Sequence, residues 1–137
     1  MFKTILLPID LSDRHEQALR VASELARAGD GEVVLLHVVE IIPGLPEEEE
    51  FYSRLERVAR KHLSALNDRF AREKIPSRVE VIVGNRARAI VGQAEETGAN
   101  LIVLTAPRID PDKVSAGLGS LSYMVGIFAP CPVLLVK

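Results

Sequence analysis

The stretch TILLPIDLSDRHEQALRVASELARAGDGEVVLLHVVE, residues 4–40, contains the pattern that decides the fold. Two aliphatic runs, residues 5–9 and 33–39, lie at its two ends. Such nearly continuous apolar runs are typical of parallel strands that are covered on both faces. Between them, alanine and leucine recur at helical spacing over residues 18–26. The stretch therefore predicts a strand, a helix and a second strand in succession.

Polar residues and glycines predict where this helix begins and ends. Asp10, Ser12 and Asp13 are candidate N-caps, because their side-chain oxygens can accept hydrogen bonds from the first turn. Gly29 and Gly31 predict its end. Asp10 has a second interpretation, since a carboxylate at the end of a strand can also accept hydrogen bonds from a ligand's amine or hydroxyl groups. Both interpretations stay open at this stage.

The rest of the chain continues the alternation of helix and strand. Its most regular feature is a long amphipathic helix, whose apolar residues recur from residue 51 to residue 70. The predicted elements after residue 40 are a helix over 51–70, an edge strand over 79–83, a helix over 86–97, a strand over 101–104, a helix over 121–128 and a strand over 133–136. This order predicts one α/β domain over residues 1–137, a doubly wound five-stranded parallel sheet with helices on both faces.

Composition and charge exclude several kinds of partner. The 137 residues carry a net charge of -2 and are 47% hydrophobic, so no basic excess attracts nucleic acid or anionic lipid. We expect no membrane span and no signal peptide, and a cytoplasmic location. Cys131 is the only cysteine, and no Cys and His residues have zinc-ligand spacing. We therefore expect neither an internal disulfide nor a metal site.

The motifs of several enzyme classes are missing from the sequence. The turn after the first strand, PIDLSDRH, lacks the glycines and the lysine of a Walker phosphate loop. The third strand ends in Val83, Gly84 and Asn85, where a phosphoacceptor receiver would carry its aspartate. There is no G-x-S-x-G elbow for a hydrolase and no carboxylate pair for glycoside chemistry. His37 lies in a predicted buried strand, where a structural hydrogen bond is the commoner role. We therefore predict no catalytic residue.

The predicted sheet has one place where a ligand-binding crevice is expected. In doubly wound sheets, ligands bind at the carboxyl ends of the strands, at the point where the strand order reverses. This rule places Asp10, Val39 and Thr105 around one crevice, because each lies at or just after the end of a predicted strand.

Four segments resemble the universal stress protein family: KTILLPIDLSD (3–13), VVLLHVVE (33–40), GANLIVL (98–104) and LGSLSYMVGIFAPCPVLLVK (118–137). The last segment is the most specific, with Gly-Ser at the start of a helix and A-P-C-P-V before the final strand. The resemblance spans the whole chain. It implies the fold of the adenine nucleotide alpha hydrolase-like proteins and a small cytoplasmic protein, usually a homodimer, that helps cells survive stress. Some members bind ATP and others do not.

The resemblance also implies which residues line a nucleotide-binding crevice. They lie at the end of the first strand, in the second strand, after the fourth strand and at the start of the last helix. The predicted nucleotide-binding residues are Pro8, Ile9, Asp10, Val38, Val39, Thr105, Ala106, Gly119, Ser120 and Leu121. Arg108 and Lys113 are candidate phosphate contacts, as charged side chains in a loop where ATP-binding members have glycine.

The loop after the fourth strand departs from the pattern of the ATP-binding members. Those members have G-x-x-G, nine residues and then G-[ST], which brings backbone N–H groups against the phosphates. This chain keeps only the second half, Gly119 and Ser120. The first two glycine positions hold other residues in either register of the motif, Ala106 and Ile109 or Thr105 and Arg108.

Two prolines make the same loop an even poorer site for phosphate. Pro107 and Pro111 each remove a backbone N–H that could meet a phosphate. A Cβ in place of a glycine hydrogen also keeps the backbone away from the ligand. We therefore predict that ATP binds weakly or not at all. AMP or another adenine compound depends less on these contacts, and we expect it beside Asp10.

The resemblance and the altered loop together favour a non-catalytic dimeric regulator or sensor of the stress response. The first alternative is a working ATP-binding stress protein with slow or no hydrolysis. The second is a nucleotide-processing enzyme, whose base would be Asp10 or His37. The last predicted strand, residues 133–136, is apolar and no helix follows it in the sequence, which favours pairing with a second copy. Pro130 and Pro132 limit how far that pairing extends.

Overall fold

The computed structural model describes residues 1–44, 48–113 and 119–137, and of Lys113 only the backbone. Within these ranges strands and helices alternate as the sequence predicts. The elements are β1 (Thr4–Pro8), α1 (Glu16–Gly29), β2 (Glu32–Glu40), α2 (Glu49–Arg72), β3 (Ser77–Gly84), α3 (Arg86–Thr97), β4 (Leu101–Thr105), α4 (Ser120–Phe128) and β5 (Val133–Val136), with a short 3-10 helix at Pro111–Lys113.

All five strands join one parallel sheet in the order β3-β2-β1-β4-β5. The predicted edge position of the third strand is confirmed, and β5 forms the other edge. Alternate residues of β1 enter two separate cores, with Ile5 and Leu7 on the side of α1 and α2, and Leu6 on the side of α3 and α4. Helices therefore cover both faces, and the predicted doubly wound fold is confirmed.

The strand order reverses between β1 and β4. Strand β1 pairs with β2 along its whole length, from Thr4 opposite Glu32 to Pro8 opposite Leu36. Its pairing with β4 has two aligned positions, at Ile5 and Leu6, and neither of the last two residues of the strand is aligned with β4. Because the two strands are paired only near their amino ends, their carboxyl ends border a crevice at the switch point.

The start of α1 differs from the prediction. The helix begins at Glu16, and the side chain of its N-cap residue, His15, makes no capping hydrogen bond. The predicted caps at Asp10, Ser12 and Asp13 are therefore wrong, because these residues lie in a loop between β1 and α1. The predicted end is confirmed, since α1 ends at Gly29 and the chain then turns through Asp30 in the left-handed conformation, with φ 51°.

Candidate functional site

An open cleft, part of it continuous with solvent, lies at the carboxyl ends of β1, β2 and β4. It coincides with the switch point of the sheet. Its walls are formed by Pro8, Ile9, Asp10, Arg14, His15, Leu36, His37, Val38, Arg86, Ile90, Leu104, Thr105 and Leu121. The apolar residues suit a flat aromatic group, and Asp10, His15 and Thr105 meet where β1 and β4 end.

Six of the predicted binding residues line this cleft: Pro8, Ile9, Asp10, Val38, Thr105 and Leu121. The side chain of Val39 does not, because neighbouring residues of a strand point to opposite faces of the sheet. It is buried in the core beneath α1 and α2, whereas Val38 belongs to the core beneath α3 and α4. The Val39 side chain therefore does not line the cleft, and the role of Val39 in nucleotide binding stays a prediction.

The remaining predicted residues surround the loop after β4. Ala106 is buried, and its N–H donates to the carbonyl of Val136 at 2.8 Å. Gly119 precedes α4 with φ 76°, and Ser120 is exposed in the first turn of that helix. Arg108 is exposed in the loop. The side chain of Lys113, the other candidate phosphate contact, lies outside the described residues.

A buried histidine that the sequence analysis did not single out connects the two strand ends. The Nε2 of His15 lies 2.8 Å from Oδ1 of Asp10, and its Nδ1 lies 2.8 Å from Oγ1 of Thr105. The side chain of His15 is only 8% exposed. The three side chains therefore form one hydrogen-bonded chain from the loop after β1, across the switch point, to the end of β4.

The Asp10 carboxylate is the centre of this network. Its Oδ1 accepts from the backbone N–H of Ser12 at 2.8 Å as well as from His15, and its Oδ2 accepts from Arg14 at 2.7 Å. Partial burial opposes ionisation, but these hydrogen bonds outweigh it and hold the pKa of Asp10 well below its usual range. The carboxylate is therefore ionised at neutral pH, and most of its lone pairs are already engaged.

Comparison with known proteins identifies the family. The family model of the universal stress proteins matches residues 1–137. A universal stress protein of Thermus aquaticus is 34% identical over 138 residues, which cover all of this chain and all of that protein. The chain belongs to the universal stress protein family. The family assignment made from the four sequence segments is thereby confirmed.

Two solved structures are similar to this universal stress protein over nearly their whole length. It is similar to the hypothetical protein MJ0577, with 26% identity, a TM-score of 0.81 and coverage of 100% of this chain and 96% of that one. It is also similar to the universal stress protein of Archaeoglobus fulgidus solved in complex with dAMP, with 26% identity and a TM-score of 0.71. That alignment covers 99% of this chain and 98% of the other.

The rim of the cleft in this universal stress protein carries two arginines, and each has a carboxylate partner. Arg14 pairs with Asp10, and Arg86 pairs with Glu40 at 2.7 Å. Both guanidinium groups are about half exposed, so these pairs are screened by solvent and contribute little to stability. A ligand with negative charge would have to compete with the carboxylates for them.

His37, the other histidine of the cleft, has the structural bond that its place in a strand suggests. Its Nδ1 lies 2.9 Å from the carbonyl oxygen of Ile9, which can only accept, so Nδ1 carries a proton.

Among the described residues no three His, Cys, Asp or Glu side chains gather as a metal site. No helix in the described ranges is long and apolar enough to cross a membrane.

Proposed function

We propose that this universal stress protein is a non-catalytic, homodimeric regulator or sensor of the stress response that binds an adenine compound in its switch-point cleft. Residues 1–137 act as one domain, and the protein works in the cytoplasm. The observation that carries the proposal is the cleft itself, with apolar walls and the Asp10 carboxylate at the carboxyl ends of the strands. A relative with the same fold was solved with dAMP.

The apolar half of the cleft supports binding of the base. Val38 and Ile90 lie on the side of α3, and Leu104 and Leu121 face it from β4 and α4. Such walls bury a flat aromatic ring, while a few polar groups fix its orientation. An adenine ring has an apolar face and polar edges, and it matches this combination.

The phosphate side of the cleft lacks contacts for phosphate groups, which supports the prediction that ATP binds weakly. The N–H of Ala106 is already bonded to Val136, and Pro107 has none to offer. The Cδ1 of Ile109 lies 3.1 Å from the position that a Cβ on Gly119 would occupy. An apolar side chain therefore packs beside the amino end of α4, where a phosphate would need polar contacts.

Calorimetry with the purified protein is expected to show that ATP binds no tighter than AMP. Each lost charge-assisted N–H contact weakens binding by about 1.5 to 3 kcal/mol, and two such losses exceed a hundredfold in affinity. Arg108 recovers little of this, because ion pairs of exposed side chains are individually weak. Sub-micromolar ATP binding that is tighter than AMP binding would instead favour a working ATP-binding protein.

A variant that fills the cleft serves as the control for the calorimetry. Leu121 lines the cleft and is only partly buried, so Leu121→Trp should abolish AMP binding without a large loss of thermal stability. AMP binding that survives this change would locate the ligand elsewhere. Mass spectrometry of small molecules that co-purify with the protein then names the physiological ligand.

The same preparation is expected to release no phosphate from ATP above the rate without protein. The two predicted candidates for a catalytic base have structural partners, since Asp10 accepts three hydrogen bonds and Nδ1 of His37 donates to Ile9. A general base works best when its pKa lies near the working pH, and the pKa of Asp10 is held well below its usual range. Of the two candidates, His37 is the one that keeps a lone pair suited to this role, on Nε2. Steady turnover that is lost in Asp10→Ala would contradict this and favour a nucleotide-processing enzyme.

The homodimer is proposed from the apolar surface of β5 and α4. The outer edge of β5 is unpaired among the described residues, and Leu134 and Leu135, on its opposite faces, are each 40% exposed. The adjoining α4 exposes Tyr123, Ile127 and Phe128. Apolar surface of this extent beside an open strand edge favours association with a second copy.

A further inference from the structure

The proton positions in the Asp10–His15–Thr105 chain follow from its contacts. The carboxylate of Asp10 only accepts, so the 2.8 Å contact with Oδ1 requires a proton on Nε2 of His15. The backbone N–H of Asp10 lies farther from the same nitrogen, at 3.2 Å, and would need a lone pair there. We assign the proton to Nε2 on the shorter contact. In neutral imidazole, Nδ1 then accepts, and the hydroxyl of Thr105 donates to it.

This assignment decides what the floor of the cleft offers a ligand. The only proton of the Thr105 hydroxyl is used by His15, so its remaining capacity is two lone pairs. Oδ1 of Asp10 already accepts twice, and Oδ2 accepts from Arg14 and keeps one site. Both residues line the cleft. The floor therefore presents acceptors, from a hydroxyl and from a carboxylate.

We propose that Thr105, which His15 orients, is a specificity-determining residue. Together with Asp10 it selects a ligand that places hydroxyl or amino groups at this end of the cleft over a ligand that places a phosphate there. The ligand class is an adenine nucleoside whose ribose carries free hydroxyl groups. A phosphate in the same place would meet lone pairs and a negative charge. The inference rests on the proposed function, and it names the ribose as the part of the ligand that these two residues recognise.

The expected size of the effect follows from the kind of hydrogen bond. Removing the ribose hydroxyls costs one bond to a neutral hydroxyl and one to a carboxylate, which together correspond to a loss of about thirtyfold to a thousandfold in affinity. Removing only the Thr105 hydroxyl should cost about tenfold or less, because Asp10 still accepts from the ligand.

Calorimetry at pH 8 with adenosine and 2′,3′-dideoxyadenosine tests this. The wild-type protein should bind adenosine at least tenfold more tightly than the dideoxy compound. Thr105→Val should weaken adenosine binding up to about tenfold and leave dideoxyadenosine binding nearly unchanged, whereas Thr105→Ser should retain the preference. Thr97→Val is the matched control, because the Thr97 hydroxyl donates to the Gln93 carbonyl within α3 and is not in the cleft.

Failure of this inference differs from failure of the proposed function. If the wild type binds the two nucleosides equally, or if Thr105→Val weakens both by the same factor, the selection by Thr105 is overturned while adenine binding stands. If adenosine, AMP and ATP all fail to bind, the proposed function is overturned and the inference with it. Thermal unfolding of each variant shows that a loss of affinity is not a loss of fold.

Discussion

Gly31→Ala is expected to lower the free energy of unfolding by about 3 kcal/mol or more, a large part of the 5 to 15 kcal/mol typical of a domain. A Cβ on Gly31 would overlap the carbonyl oxygen of Phe2 and lie 2.9 Å from that of Lys3. The Lys3 carbonyl accepts the N–H of Glu32 at 2.9 Å, at the start of the contact between β1 and β2. Because the obstacle is backbone, relief requires moving β1.

Urea unfolding at one fixed protein concentration measures this change, and Gly92→Ala is its matched control. Gly92 is an exposed residue of α3, and a Cβ there meets nothing within 4 Å. Its replacement should raise stability by up to about 1 kcal/mol, because alanine favours helix over glycine. If Gly31→Ala lowers the free energy of unfolding by less than 1 kcal/mol, the backbone of Phe2 and Lys3 does not pack closely against Gly31.

Leu134→Glu is expected to convert a homodimer into a monomer. In a two-fold interface one substitution introduces two charges, and burying them without partners should raise the dissociation constant by about a hundredfold or more. Light scattering or sedimentation at micromolar concentration distinguishes the two states. Val58→Glu is the control, since Val58 is 54% exposed on α2, far from β5 in the fold.

Two results would contradict the proposed interface. A monomeric wild-type protein at micromolar concentration would remove the dimer altogether. A dimer that survives Leu134→Glu but dissociates in Phe128→Glu would move the contact from the edge of β5 to the outer face of α4, where Phe128 is 60% exposed. Loss of the dimer in both variants agrees with a contact that spans β5 and the adjoining helix.

Elements whose boundaries depend on neighbouring residues were predicted well. The helix predicted over 86–97 is α3, Arg86–Thr97, because both of its end signals lie directly next to the segment. Asn85 caps it by accepting from the N–H of Arg88, and Gly98 ends it with φ 65°. The strand over 133–136 was equally clear, since its apolar run is bounded by proline.

The start of α1 could not be predicted in this way. The residues between Asp10 and His15 remain outside the helix in a network that reaches Thr105, 90 positions along the chain from His15. A local signal existed, since His15 is one of only three histidines and follows Asp10 by five residues. Nothing in that spacing identifies its second partner, which becomes a neighbour only when β1 and β4 pair.

The sequence by itself determined the order of the elements, the parallel sheet, the family and the incomplete glycine motif, because periodicity, turn residues and motif spacing act over a few positions. Only the tertiary structure decided that His15 crosses the switch point, that the N–H of Ala106 is taken by Val136, and that Gly31 faces Phe2 rather than serving only as a helix end. These three contacts join segments that lie far apart in the chain. Their partners are selected by the pairing of strands and the packing around them, which no local pattern encodes.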